Sequence, residues 1–212
     1  MRRKKEEGKK GIITNSLNVL GVGSSMREGS YGTRTLKIVL DIINRYDAKT
    51  CLLNLRETMV PIFNPISSNG SADTNIQKVI DLVNWADAFV LASPDYHGSM
   101  SGSMKNFLDH FWEEFAGKTF GYICTSHEKG LTVMDQMRTA VRQCYGWSLP
   151  YGVSINGEED FNELGTIAND LLSKRLNILA RDLVIYGKLI RGQFLRDIAS
   201  NITDTFAARY RL

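Results

Sequence analysis

The sequence is poor in the residues that mark several common protein classes. Only three of its 212 residues are cysteines, and no two of them form a C-x-x-C pair. This scarcity excludes a disulfide scaffold and a cysteine-rich zinc module, and it favours a reducing compartment, which we expect to be the cytoplasm. No apolar run approaches the roughly 18 residues of a membrane-spanning helix. The charged first ten residues lack the apolar core of a secretory signal.

The charge balance is small and uneven. The formal net charge is +3, from 26 basic and 23 acidic side chains. Residues 1–10 hold six basic and two acidic side chains, so this segment carries +4 and the remainder, with 20 basic against 21 acidic, carries −1. We interpret residues 1–14 as a basic flexible tail, with contact to nucleic acid or anionic lipid as the alternative. The body shows no basic stripe with interleaved aromatic residues, so we expect neither a nucleic-acid nor a membrane partner.

Apolar runs alternate with amphipathic segments along the chain. Five runs are typical of buried strands: 17–22, 50–55, 88–92, 120–124 and 151–155. Apolar residues at three- and four-residue spacing predict helices, at 33–46, 76–83, 104–111, 131–145, 160–186 and 194–206. This alternation predicts an α/β fold, with five parallel strands in the order 2-1-3-4-5 and helices on both faces. Ligands of such sheets bind beyond the carboxyl ends of the strands.

The predicted elements suggest one main domain. We assign residues 15–190 to this domain and residues 191–212 to a C-terminal helical extension. The long loop 56–72 is rich in Pro, Asn, Ser and Gly. Its length favours a lid or an element of a subunit interface.

The loop after the first strand, residues 23–33, reads GSSMREGSYGT. Small residues let the backbone approach an anion, and the hydroxyls of Ser25, Ser30 and Thr33 can donate hydrogen bonds to it. Arg27 adds positive charge, and the loop leads directly into a helix N-terminus, which favours phosphate. The loop is not a Walker A motif. A phosphate site and a simple serine-rich helix cap are equal interpretations of this segment taken alone.

The segments GSSMREGSYGTRTL and ASPDYHGSMSGSMKNFLDHF, the second directly after the third strand, together resemble the NAD(P)H-dependent FMN reductase family of the flavodoxin-like superfamily. The resemblance covers residues 17–155. It implies a flavodoxin-like fold that binds FMN, with NAD(P)H as cosubstrate. It also implies hydride transfer from NAD(P)H through N5 of the flavin to a flavin, quinone, azo, nitro or metal acceptor by ping-pong exchange. Members often form homodimers or homotetramers.

The resemblance also implies roles for individual residues. The predicted phosphate loop contributes Ser25, Arg27, Ser30, Tyr31, Gly32 and Thr33. Gly32 replaces the usual Asn of the family, so the side-chain hydrogen bond of that Asn is missing here. The segment expected along the isoalloxazine ring contributes Pro94, Asp95, Tyr96, His97 and Gly98. Asp95 replaces the usual Glu and His97 the usual Asn, and we expect Tyr96 and His97 to shape the acceptor pocket.

The loop after the fourth predicted strand is the least similar to the family. We assign Ser126, His127 and Gly130 to the pyrimidine end of the flavin, by loop position. Positive charge from His127 or Lys129 would favour negative charge on the flavin, but an exposed polar turn is an equal interpretation. We expect no acid–base catalytic residue and no metal site. The alternatives to a reductase are a flavodoxin-like electron carrier, a non-enzymatic flavin-binding regulator, or a chain that has lost flavin binding.

Overall fold

Strand β1, Leu17–Gly23, lies inside a sheet, because nearly all its side chains are buried. The computed structural model describes residues 16–65 and 74–211. The predicted tail 1–14 and positions 66–72 of the predicted loop lie outside the described residues. The other strands are β2 Ala48–Asn54, β3 Ala88–Tyr96, β4 Ser99–Met100, β5 Thr119–Thr125, β6 Trp147–Ser148 and β7 Val153–Ile155.

The main sheet is parallel, in the order β2-β1-β3-β5-β6, and β7 also pairs with β5. The short strand β4 forms an antiparallel hairpin with β3. Apart from this hairpin, the predicted order 2-1-3-4-5 is confirmed. The fifth predicted strand, 151–155, corresponds to β7, whereas β6 is an additional short strand outside the predicted range. The two strands pair with opposite ends of β5.

Helices cover both faces of the sheet, as predicted. They are α1 Tyr31–Ile43, α2 Thr74–Trp85, α3 Gly102–Asp109, α4 Leu131–Gln143, α5 Gly157–Asp160 and α6 Asp170–Ala199. The apolar faces of α1 and α6 share one buried cluster with one side of the sheet. Those of α2, α3 and α4 share a second cluster with the other side. Within the described ranges, no helix combines the length and apolar character needed to cross a bilayer.

The C-terminal region differs most from the prediction. The helix predicted over 160–186 is wrong at both ends, since α6 begins at Asp170 and runs to Ala199. The Asn169 side chain starts it by accepting hydrogen bonds from the N–H groups of Leu171 and Leu172, at 3.0 and 3.2 Å. These bonds satisfy two of the free donors of the first turn.

The separate helix predicted over 194–206 is also wrong, because its first half is the last part of α6. A short 3-10 helix, Phe206–Tyr210, follows. The proposed division of the chain at residue 190 stays a prediction, and α6 runs through that position.

Candidate functional site

The carboxyl ends of β1, β3, β5 and β7 border a cavity of about 640 Å³. All the residues assigned to the flavin from the sequence, except Thr33, line this cavity: Ser25, Arg27, Ser30, Tyr31, Gly32, Pro94, Asp95, Tyr96, His97, Gly98, Ser126, His127 and Gly130. Parallel strands place their following loops at one edge of the sheet, which is why three distant segments meet here. The structure therefore brings these residues together, and their contact with flavin stays a prediction.

The loop after β1 is held by its own serines. Ser30 caps α1, because its Oγ accepts a hydrogen bond from the Thr33 N–H at 3.2 Å and donates one to Thr33 Oγ1 at 2.9 Å. Ser25 Oγ accepts from the Arg27 N–H at 3.3 Å. Both serines are buried, whereas the Arg27 side chain is exposed. The first N–H groups of α1 have no partner inside the helix, so this cap still leaves donors for an anion.

A serine network fixes this loop to helix α3. Ser101 Oγ donates to Ser24 Oγ at 2.8 Å, and the Ser101 N–H donates to Ser93 Oγ at 3.0 Å. Ser103 Oγ donates to the Ser24 carbonyl oxygen at 2.6 Å. Because these four serines lie on the β1 loop, on β3 and at the start of α3, the network sets the spacing between two walls of the cavity. Serines are visible in both loops of the sequence, but their positions along the chain do not predict which of them bond to each other.

The hairpin of β3 and β4 forms the second wall. Tyr96 pairs with Ser99, so His97 and Gly98 make a two-residue turn with φ angles of 57° and 74°. Such hairpin turns favour residues that tolerate positive φ, and His is enriched there along with Asn. His97 and Gly98 are therefore both suited to the positive φ angles of this turn. The Asp95 carboxylate secures the turn by accepting from the Gly98 N–H at 2.8 Å.

The loop after β5 forms the third wall. The Ser126 N–H donates to the Ile155 carbonyl oxygen at 2.9 Å, and Ser126 Oγ accepts from the Glu128 N–H at 3.1 Å. His127 and Lys129 line the cavity here, and so does Glu128. The acidic neighbour offsets part of the basic charge, and the suggested effect of His127 on the flavin stays a prediction.

A fourth wall of the cavity, after β7, was not predicted from the sequence. It consists of Asn156, Gly157 and Glu158, which all line the cavity. The buried Asp160 carboxylate holds this turn by accepting from the Asn156 N–H at 2.8 Å. The ring of Tyr31 packs against Phe161, with the ring centroids 5.1 Å apart. Tyr31 thus joins the first turn of α1 to this wall, and the only sequence signal for the wall was its place after the last strand.

Cys124, the residue before the end of β5, is not suited to redox chemistry. Its side chain is fully buried. Burial, together with the negative charge of Asp95, raises the pKa of the thiol to about 12. The thiol therefore stays protonated at neutral pH, and the protonated form is a poor nucleophile.

The polar groups around the cavity fit a ligand with an anionic, hydrogen-bonding tail. The side-chain oxygens Thr125 Oγ1 and Asn156 Oδ1 are buried and have no hydrogen-bond partner among the described residues. Both residues line the cavity. A buried polar atom without a partner costs about 1–3 kcal/mol, so such atoms beside a cavity point to a polar ligand. Together with the free N–H groups of α1, they fit the phosphate and ribityl chain of FMN.

Comparisons with known proteins place the chain in a family. Residues 17–160 match the model of the family described as NADPH-dependent FMN reductase. The chain is similar to the FMN-dependent NADPH-azoreductase of Staphylococcus saprophyticus, with 28% identity over 79% of this chain and 93% of the relative. It is also similar to the NADPH azoreductase of Bacillus sp. strain OY1-2, with 26% identity over 72% of this chain and 86% of the relative.

Solved structures share the fold. The apo form of the NADH:FMN oxidoreductase EMOB aligns with a TM-score of 0.67 and 16% identity, over 81% of this chain and 90% of that structure. FerB, an NAD(P)H:acceptor oxidoreductase from Paracoccus denitrificans, aligns with a TM-score of 0.67 and 17% identity, over 82% and 98%. The flavodoxin-like fold expected from the sequence is confirmed.

By its family match, the protein is therefore a flavin-dependent oxidoreductase. It belongs to the NADPH-dependent FMN reductase family, as the two sequence motifs indicated. This family uses FMN and NAD(P)H, so the expectation of FMN as cofactor and NAD(P)H as cosubstrate is confirmed.

Proposed function

We propose that this protein oxidises NAD(P)H and passes the reducing equivalents, through FMN held in the described cavity, to a small-molecule acceptor. The main support is that the two motif-bearing loops, after β1 and β3, meet around one cavity that has a helix N-terminus on one wall. When bound, FMN supplies a ring that accepts and returns two electrons. The protein then has to bind and orient this ring, since cofactors carry such chemistry themselves.

The walls of the cavity divide this work. Ser25, Arg27 and the first N–H groups of α1 bind the phosphate through hydrogen bonds and charge. The turn 94–98 lies along the ring, where its backbone N–H groups orient the polar edge. Tyr96, which is 49% exposed, borders the open side of the cavity. The nucleotide binds there first, and the acceptor binds there after the nucleotide has left. No side chain of these walls is needed as an acid or a base.

We propose azo compounds as the first acceptors to test, with quinones, nitro compounds, free flavins and metal species as further classes. The support is that two of the similar proteins are named as azoreductases. Because nucleotide and acceptor use the same open side of the cavity, we expect ping-pong exchange. Initial rates at several fixed acceptor concentrations should give parallel double-reciprocal lines. Intersecting lines with a demonstrable ternary complex would contradict this mechanism.

FMN binding is tested by fluorescence titration of the flavin-free protein. We expect saturable binding of one FMN per chain. Arg27→Ala should weaken the affinity about tenfold or more, because it removes a charge-assisted contact to phosphate. Arg45→Ala is the matched control, because Arg45 is exposed on a 3-10 helix and does not line the cavity. The absence of saturable binding, or equal affinities for wild type and Arg27→Ala, would overturn the assignment of the site.

We also propose that the chain forms a homodimer or a homotetramer. Three apolar side chains of the loop after β2 are exposed: Met59, Ile62 and Phe63, at 64%, 88% and 37%. Exposed apolar clusters of this kind favour association. Sedimentation equilibrium should give two or four times the chain mass of 23.8 kDa. A single species of monomer mass at micromolar concentration would contradict the proposal.

A further inference from the structure

Gly32 and Thr125 lie next to each other in the lining of the cavity. Gly32 is the second residue of α1 and is buried, and Thr125 ends β5. A Cβ atom built on Gly32 would lie 2.9 Å from Thr125 Oγ1, closer than real Cβ contacts allow. A side chain at position 32 therefore requires the Thr125 hydroxyl to move from its present position.

The Thr125 hydroxyl lacks a hydrogen-bond partner among the described residues. Its oxygen is also buried. The same residue lines the cavity, and it lies next to the first turn of α1. That turn carries free N–H groups and the positive end of the helix dipole, both of which favour an anion. A threonine side chain exchanges between staggered rotamers, so its hydroxyl can turn from Gly32 toward an acceptor in the cavity.

We propose that Thr125 is a cofactor-binding residue, whose hydroxyl donates a hydrogen bond to the phosphate of FMN and replaces the one that Gly32, having no side chain, cannot supply. This inference rests on the proposed binding of FMN in the cavity. It assigns a function to a residue on β5, whereas the motif match confined the phosphate contacts to the loop after β1. No bond is made or broken, and the group acts only by binding.

Thr125→Val tests the proposal, because valine keeps the shape of the side chain and removes the hydroxyl. We expect the Kd for FMN to rise about tenfold, which corresponds to one charge-assisted hydrogen bond. The Kd for riboflavin, which lacks the phosphate, should stay unchanged. Thr125→Ser, which keeps a hydroxyl, is the matched control and should bind FMN like the wild type.

The flavin-free proteins provide a second readout. A hydroxyl that is merely structural would cost stability when removed. A buried hydroxyl without a partner costs nothing when valine replaces it, so Thr125→Val should unfold at the same temperature as the wild type or higher. The reciprocal variant Gly32→Asn should bind FMN less tightly than the wild type. Adding Thr125→Ala should restore part of that affinity, because it removes the atom that a Cβ would meet.

The outcomes separate the two proposals. If the wild type binds no FMN, the proposed function fails and this inference fails with it. If the wild type binds FMN and Thr125→Val binds it equally well, only the role of Thr125 is overturned. Equal weakening toward FMN and riboflavin would also overturn it, because the contact would then not be to phosphate.

Discussion

Ser126 Oγ donates a hydrogen bond to Asp95 Oδ2 at 3.0 Å, which joins the loops after β3 and β5. The other oxygen of the same carboxylate accepts from the Gly98 N–H at 2.8 Å. A single side chain thus sets both the shape of the hairpin turn and its distance from the neighbouring wall. A carboxylate suits this position because bonds to an ionised acceptor are stronger than neutral ones.

Asp95→Ala should weaken FMN binding about tenfold, because both loops lose their common acceptor. The measurement is the Kd for FMN by fluorescence titration. Asp81→Ala is the control, since Asp81 accepts from Gln77 Nε2 at 2.9 Å on α2 and does not line the cavity. Equal Kd values for Asp95→Ala and Asp81→Ala would show that the carboxylate does not organise the site.

The left-handed backbone at His97 predicts how the free energy of unfolding should differ between substitutions at this position. His97→Asn should unfold within about 0.5 kcal/mol of the wild type, because Asn tolerates positive φ well. His97→Val should lose about 1–2 kcal/mol, because a β-branched side chain is strained there. Urea unfolding of the flavin-free proteins gives both values. A valine variant as stable as the wild type would mean that the turn is not as described.

Gly130 should tolerate no side chain. Its φ of 55° is left-handed, and a Cβ built there would lie 2.4 Å from Cys124 Sγ. Gly130→Ala should therefore cost about 2–4 kcal/mol, from the backbone strain and from overpacking together.

Gly102→Ala is the matched control in a helix N-terminal turn. A Cβ there meets no atom within 4 Å among the described residues, and alanine favours the helix. We expect its free energy of unfolding to equal or slightly exceed that of the wild type. A Gly130→Ala variant that unfolds like this control would contradict the packing of α4 on β5.

Lys118 predicts a pH dependence of stability. Its buried ammonium donates to the Val83 carbonyl oxygen at 2.7 Å. Burial, reinforced by Arg191 and opposed by Asp87 and Glu114, lowers the pKa of this lysine from 10.5 to about 8. Between these two values the unfolded chain binds more protons than the folded one. The contribution of Lys118 to the free energy of unfolding therefore rises with pH in this window.

The measurement is urea unfolding of wild type and Lys118→Met at about pH 7.5 and 9.5. We expect the wild type to gain about 1–2 kcal/mol relative to the variant, since one pKa unit corresponds to about 1.4 kcal/mol. The measurements are kept below pH 10 because burial raises the pKa of Tyr122 in the folded protein. Above pH 10 this tyrosine ionises more readily in the unfolded chain, which lowers the free energy of unfolding. Parallel pH profiles for the two proteins would contradict the burial of this charge.

The order of the strands and the position of the cavity could be predicted because they depend on strong local patterns. A strand that is buried on both faces, such as β1, is almost entirely apolar. The topology of a parallel sheet then determines at which edge the following loop lies. The motif residues meet at one cavity for this reason, and their binding of FMN stays a prediction. The expected location of the protein in the cytoplasm likewise stays a prediction.

The start of helix α6, after β7, could not be predicted from the spacing of apolar residues alone. Leu164 and Ile167 are spaced like a helix face, but Leu164 is 88% exposed, and Ile167 pairs with Phe161 in an isolated bridge. The helix cap at Asn169 was the better signal, because capping residues report where a helix begins. The wall 156–158 depends on the buried contact of Tyr31 with Phe161, which no local pattern encodes.

The most direct measurement is an anaerobic titration of the FMN-loaded protein with NADPH, followed through the visible absorbance of the flavin. We expect the flavin to bleach with one NADPH per FMN and to recover its colour when an azo compound or a quinone is added. A bound flavin that keeps its colour with both NADPH and NADH would contradict the proposed reductase function, because the protein would then be an electron carrier.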